Sequence, residues 1–407
     1  MRLTSNLLTC DECKDILQNV FGDTSVELVD CDLKSFDEIL GYLAEHFNLT
    51  ITYKKDGVIQ EIKLFLKMVP MINDKQNKFV KKMSVFGKEV KVYQNLLKYF
   101  NELLDEPFAP KFIYQKNYEK VVWENMALKN FKVLNTNRMN EEQCLSVLKS
   151  LAGLHGACLI FEEQQSVNGK VFRIDGHYPD EVEEKTFSYE EGHPRYDWLK
   201  TASSSIADLA TFFSDSSKTV EKFKRYIFNE LRDYLKPSKK YRNVLVHDDL
   251  HSNNIMFNEN NQSIIVDYQL TRYAPPVFDV LLFLYLNAGR TYLSNNKARL
   301  LKYYYTKLED VLVKHNIKLE ELISRENFAE SAEEYDLPAL VEACLYGTNV
   351  LISQKLSKEL MSNEENFAKF MYQDRASFIT REFTSDPTFR DRFSEVLIPL
   401  FELFEKA

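Results

Sequence analysis

The chain has 407 residues, more than a single hydrophobic core comfortably serves and enough for two or three compact units. With 44% apolar residues, 28% charged residues, and only 11 Gly and 11 Pro, its composition is globular, which excludes collagen-like and Pro-rich disordered classes. A formal charge of -9 argues against broad nucleic-acid binding, because phosphate affinity rests on clustered Lys and Arg. The short basic stretch 236–242 reads as a solvated loop. No run of about 18 uninterrupted apolar residues occurs, so neither a transmembrane helix nor a membrane partner is expected. The N-terminus lacks a long apolar segment, so no signal peptide is expected and the expected location is the cytosol. Six cysteines fit a reducing compartment. Cys10 and Cys13 form a lone C-x-x-C without the two further ligands that zinc needs, and read as two thiols on an N-terminal helix.

In chain order, 11–20 reads as a short helix. Phe47, Leu49, Ile51 and Tyr53 alternate with polar residues, predicting a half-buried strand. Asp56-Gly57 is a hairpin signal, and 62–67 reads as the returning strand. From 77 to 104 the pattern becomes helical, with Val85, Val92, Leu96 and Tyr99 able to share a face. Two strands follow at 111–114 and 120–124. A strong helix spans 141–162, with Leu145, Leu148, Leu151, Leu154 and Cys158 at three- and four-residue steps. The polar, acidic stretch 164–200 reads as a surface excursion. Helices follow around 300–312 and 389–404, the latter with Pro399 as a candidate kink. The predicted fold class is α+β and two-lobed: a small antiparallel sheet lobe over 1–125 and a mostly helical lobe over 126–407, connected near 124–130.

The segment 244–279, VLVHDDLHSNNIMFNENNQSIIVDYQLTRYAPPVFD, carries the chemistry. It holds Asp249, then Asn254 five residues on, then Asp267 thirteen further on, between the apolar runs 244–246, 255–257 and 264–266. Two short buried strands joined by a turn at 258–262 would set Asn254 beside Asp267. Phosphoryl transfer is largely positioning and charge neutralisation. One carboxylate must orient the attacking hydroxyl, which suits Asp249. Oxygen ligands must hold Mg²⁺, which suits Asn254 and Asp267. The spacing matches the catalytic loop and metal aspartate of protein kinases. Such a site also needs a lysine ending a buried strand and a glutamate on the following helix. Lys67 and Glu89 are the candidates.

These segments resemble the ecdysteroid kinase-like family, within the choline kinase and aminoglycoside phosphotransferase group of the protein-kinase-like fold. The family's loop H-G-D-x-W-x-x-N-N and its D-F-Q are matched by His247, Asp249, Asn253-Asn254 and Asp267-Tyr268-Gln269, with Arg272 and Asp279 downstream. Phe86-x-x-Glu89 with Tyr93, the segment 122–126 and the helix segment 151–156 match further. Departures are Asp248 for Gly, Leu250 and His251 for aromatic residues, Tyr268 for Phe, and a weak nucleotide-covering turn at 41–46. The resemblance implies Asp249 as catalytic base, Asn254 and Asp267 as Mg²⁺ ligands, and Lys67 with Glu89 as the phosphate anchor. Backbone near Glu124 and Met126 would bind adenine. His247 would brace the loop and Asp279 would tie down its backbone. His155 reads as packing, with the substrate-pocket rim as the other reading. Asp248 is expected to point to solvent; inside the cleft it would raise a carboxylate pKa.

The implied function is an ATP- and Mg²⁺-dependent kinase for a small-molecule alcohol, steroid-like or a xenobiotic conjugate. Alternatives are a catalytically weak or inactive nucleotide- or ligand-binding relative, or a choline- or ethanolamine-type kinase. A protein kinase is disfavoured, because no A-P-E segment precedes Asp279. The acceptor's identity and the oligomeric state stay open.

Overall fold

The computed structural model describes residues 7–23, 25–36, 44–70, 74–134, 138–213 and 217–406. Within the described residues, β1 (Glu27–Ser35), β2 (Glu45–Lys55), β3 (Val58–Met68), β4 (Phe112–Lys116) and β5 (Lys120–Glu124) form one antiparallel sheet in the order β1-β2-β3-β5-β4. The expected alternation sets its inner face: Leu49, Ile51 and Tyr53 of β2 are buried with Leu64 and Leu66 of β3. Asp56 and Gly57 both take positive φ, 51° and 79°, as a two-residue hairpin turn between twisted strands requires. The expected N-terminal helix is Cys10–Phe21, opened by a reciprocal Thr9–Glu12 capping box and closed by left-handed Gly22. Its Cys13, Ile16 and Leu17 pack into the same core.

The helical stretch after the sheet is not continuous as expected. Ser84 takes a left-handed backbone (φ 53°), which separates Asp74–Met83 from Val85–Val92. The chain then passes through a π-turn, Tyr93–Leu97, into Lys98–Glu102. Val85, Val92 and Leu96 are buried, but Tyr99 is 45% exposed, because the wider turn rotates it off the shared face.

The rest is mostly helical. Glu141–Gln165 is buried continuously from Leu151 to Glu162, which marks a central core helix. It is long and apolar enough to cross a membrane by length and composition alone, but 78% of its most apolar stretch is buried inside the protein, as in a core helix. Arg290–Val313 packs along it, and Pro276–Asn287 packs against Asp336–Val350. The final helix, Pro387–Lys406, runs through Pro399 without ending. Short strands complete this part: β6 (Lys132–Val133), β7 (Val244–Val246), β8 (Ile255–Phe257), β9 (Ser263–Ile265) and β10 (Arg272–Ala274). They pair as β10-β7 and β6-β8-β9. The architecture is α+β, with an antiparallel N-terminal sheet and a helical C-terminal part.

The stretch 164–200 is a surface excursion only in part: 164–165, 167–171 and 190–192 are exposed, but other residues are drawn inside. It forms Ile174–His177, Pro179–Val182 and the start of Pro194–Leu209, and it buries Ile174, Glu181, Thr186, Arg195 and Trp198. Its polarity is consumed by contacts to the Glu89-bearing helix and its extension. Lys88 Nζ donates to Glu183 O at 2.6 Å and to Thr271 O, Lys91 pairs with Asp180, and Asn95 Nδ2 donates to Glu181 Oε1 at 2.6 Å. Charged residues paired across elements look solvated when only the sequence is read.

Candidate active site

Lys67 lies near the end of β3, opposite His46 of β2 and Val121 of β5. It is 4% exposed, and its Nζ lies 2.9 Å from Glu89 Oε2 and 2.7 Å from Asp267 Oδ1. Glu89 comes from the Val85–Val92 helix, which rests on the turn Tyr268–Leu270 just after Asp267. Burial opposes the charge on Lys67, but Asp267 and Glu89 outweigh it and push its pKa up. Burial likewise opposes ionisation of Asp267, and Lys67 overcomes it, holding that carboxyl below its ordinary range. Glu89 is pushed up by burial, to about 7, because it shares the ammonium with Asp267.

The loop after β7 is fixed from below. His247 Nδ1 accepts from Asp249 N–H at 3.2 Å, and its Nε2 lies 2.9 Å from Val266 O. One tautomer, protonated on Nε2, satisfies both, and burial keeps the ring neutral. Asp279 accepts from the backbone N–H of His247 at 2.6 Å and of Asp248 at 3.0 Å. His155 Nε2 lies 3.1 Å from the same carboxylate, and its Nδ1 lies 2.7 Å from the Tyr304 hydroxyl. So His247 braces the loop, Asp279 ties its backbone, and His155 is a buried brace behind Asp279. Asn254 Nδ2 donates to Asp249 O at 2.8 Å and Oδ2 at 3.2 Å, which leaves its amide oxygen available. Val266 N–H donates to Asn254 O at 2.9 Å, setting Asn254 beside the residue before Asp267. Burial, then the charge of Asp267, push Asp249 up to about 7.

Asp248 points neither to solvent nor into the cleft. It is fully buried behind the loop, with Oδ2 2.9 Å from Arg272 Nε. Arg272 also reaches Glu342 Oε1 at 3.1 Å and Glu184 Oε2 at 3.8 Å. Burial pushes Asp248 and Glu342 up, Glu342 to about 8, against the pull of the guanidinium. The backbone at Asp248 is left-handed (φ 65°), so a side chain there leaves the loop on the face away from Asp249. That backbone also explains why glycine suits this position.

Lys67, Asp249, Asn254 and Asp267 line one cleft of about 1030 Å³, counting its open mouth. His46 and His251 line it too, and burial pushes each down to about 4, so both are neutral. Glu124 and Met126 do not line it. The Glu124 carboxylate is taken by Lys111 N–H at 2.9 Å and Lys129 Nζ at 2.6 Å. Met126 is buried with Phe131 and Ile264. Half of the expected covering turn at 41–46 lies outside the described residues, because 41–43 are not among them; Glu45 and His46 belong to β2. Beyond Asp249 the cleft is lined by Arg195, Trp198, Tyr346, Asn349 and Met371, which sequence reasoning missed. Pro194 at the first helical position was the available signal for the helix carrying Arg195 and Trp198.

A lysine–glutamate pair joined to an aspartate, and a braced loop carrying a second aspartate and an asparagine, define a kinase-like protein. The chain belongs to the ecdysteroid kinase-like family, whose sequence model matches residues 39–317. No curated protein sequence matches it. Solved structures similar to it include an ethanolamine kinase of Plasmodium vivax, at 12% identity over 92% of this chain and 83% of that one, with TM-score 0.43. Choline kinase LicA of Streptococcus pneumoniae has 12% identity over 91% and 97%, with TM-score 0.41. Macrolide 2'-phosphotransferase MphH of Brachybacterium faecium has 12% identity over 88% and 98%, with TM-score 0.39.

Proposed function

We propose that the chain transfers the γ-phosphate of ATP, with Mg²⁺, to a hydroxyl of a small-molecule alcohol of ecdysteroid or xenobiotic type, in the cytosol. Residues 1–125 form the nucleotide-binding lobe and 126–407 the helical lobe. The observation that carries this reading is the Lys67–Glu89–Asp267 network opening into the same cleft as Asp249 and Asn254. Lys67 anchors phosphates, and Glu89 holds it in place. Adenine is assigned to backbone of the Glu124–Met126 segment on the family resemblance alone, since these residues do not line the cleft.

Asp267, held ionised by Lys67, and the amide oxygen of Asn254 are hard oxygen donors that fit Mg²⁺. Within the described residues no group of three or more His, Cys, Asp or Glu forms a cage that could hold a metal by itself. Two protein donors suit an ion completed by nucleotide phosphates and water. When bound, Mg²⁺ would neutralise phosphate charge. Asp249 orients the acceptor hydroxyl and takes up its proton. Asn254 holds Asp249 through both its hydrogen bonds.

Purified protein should consume ATP in a Mg²⁺-dependent way when given an ecdysteroid, and more slowly with choline. Transfer to no acceptor in a panel of steroids, glycosides and amino alcohols, despite ATP binding, would overturn the kinase reading. The inactive alternative draws no support from Asp248, since that carboxylate faces Arg272.

A further inference from the structure

Past Asp249 the cleft ends in a wall built from three helices. Asp336–Val350 contributes Tyr346, Asn349 and Val350, with Ile352 just after it. Pro194–Leu209 contributes Trp198, and Glu364–Tyr372 contributes Met371. Asn349 is the polar amide in this aromatic and aliphatic group. It lies on the last turn of its helix, three residues after Tyr346 and therefore on the same face. Its Oδ1 is buried and, among the described residues, accepts no hydrogen bond. An amide oxygen left dry in this way destabilises the empty protein, and a donor from a bound molecule relieves that cost.

The other polar groups nearby are already committed. The Tyr346 hydroxyl donates to Thr186 Oγ1 at 3.3 Å, and Arg195 and Ser357 have partners of their own. Gln354 is exposed, where water serves it. Gln269 Oε1 is also unpaired, but Gln269 Nε2 donates to Asp267 Oδ2 at 3.4 Å, which places that amide at the phosphate end.

We propose that Asn349 is a specificity-determining residue that reads a second hydroxyl of the acceptor. The acceptor is then at least a diol: one hydroxyl faces Asp249, and another, carried on an apolar body, donates to Asn349 Oδ1. This inference rests on the proposed kinase function and adds the residue that selects among its alcohols. A hydroxyl suits the amide better than an ammonium does, because an amide can turn end for end and a hydroxyl both donates and accepts. A ligand that covers Asn349 without a donor leaves its oxygen buried and unpaired. That penalty is how a polar site rejects an analogue lacking one hydroxyl.

The test uses the full-length protein with Mg²⁺ and ATP, and a steroid panel. The panel holds a mono-ol, its diols with the second hydroxyl at different ring positions, and the methyl ether of each second hydroxyl, which keeps the oxygen but cannot donate. At least one diol should exceed both its mono-ol and its methyl ether in kcat/KM by at least about tenfold. Asn349→Leu, close in size but without the amide, should bring that ratio to about one. A purely structural residue would instead lower all acceptors alike and leave the ratio standing. Without acceptor, Asn349→Leu should melt no lower than wild type, since it removes an unpaired buried oxygen. Binding of the same panel is measured separately by calorimetry with a non-hydrolysable ATP analogue. No diol reaching tenfold in transfer or in binding, an unchanged ratio in Asn349→Leu, a lower melting temperature for that variant, or neither binding nor transfer of any steroid overturns the proposal. Diol-selective binding that is lost in Asn349→Leu, with no transfer, supports Asn349 as the reader and counts against the kinase reading instead.

Discussion

Asp249 has two neighbours pulling in opposite directions. Burial and Asp267 raise its pKa to about 7, while Asn254 holds it in line with two hydrogen bonds. A base must be ionised to accept a proton, so kcat/KM should fall as the pH drops through about 7. Asp249→Ala should lower kcat by about 10²–10⁴-fold with nucleotide binding nearly unchanged; a variant keeping a tenth of the rate would refute the role. Asp248→Gly should leave that acid limb where it is, because its carboxylate faces Arg272. Removing Asp248 strips a partner from a buried guanidinium that still has Glu342 at 3.1 Å. Ala and Gly lose that partner equally, but only Ala places a Cβ on a left-handed backbone. Asp248→Ala should therefore be less stable than Asp248→Gly by about 1 kcal/mol, read as a lower melting temperature.

The central helix Glu141–Gln165 shows how packing overrides local preference. Gly156 lies in its interior, where alanine alone would favour the helix by about 1 kcal/mol. A Cβ there would meet Val311 Cγ1 at 2.6 Å and Val311 Cβ at 3.1 Å, and a β-branched neighbour has little freedom to move. Overpacking costs about 1–3 kcal/mol, so Gly156→Ala should be net destabilising. A thermal melt in which the variant equals or exceeds wild type would disprove that close approach. The Val85–Val92 helix is governed similarly from outside itself. Lys88, one residue before Glu89, donates to carbonyls of Glu183 and Thr271, and thereby fixes where Glu89 meets Lys67.

Across the whole molecule, the Lys67–Asp267 contact joins residues 200 positions apart, from β3 to the segment after β9. A nucleotide held at both ends of that contact binds only the folded chain. Mg²⁺–ATP at a hundredfold excess over its Kd should stabilise by about 2.7 kcal/mol, seen as a raised melting temperature. Asp267→Asn cannot ionise and should lose most of that shift while raising the Mg²⁺ requirement. An unchanged shift in the variant would remove Asp267 from the metal site.

The sequence alone determined whatever is encoded locally. Alternation in β2, the Asp56-Gly57 turn, the paired apolar runs 255–257 and 264–266, and the order Asp249, Asn254, Asp267 each depend on neighbours a few residues away. The pairing of Lys67 with Glu89 was legible because a kinase-type site needs a lysine ending a buried strand and a glutamate on the following helix, and the catalytic-loop motif pointed to such a site. The tertiary structure decided what depends on contacts between distant segments. The fate of Asp248 required Arg272 and Glu342, from two other elements. The break at Ser84 is a backbone choice that helical periodicity cannot show. The burial of Ile174, Glu181, Thr186, Arg195 and Trp198, and the arrival of the last two at the cleft, depended on contacts with distant segments. Charge in a sequence looks like solvent exposure until a partner is found, and only the folded chain supplies the partner.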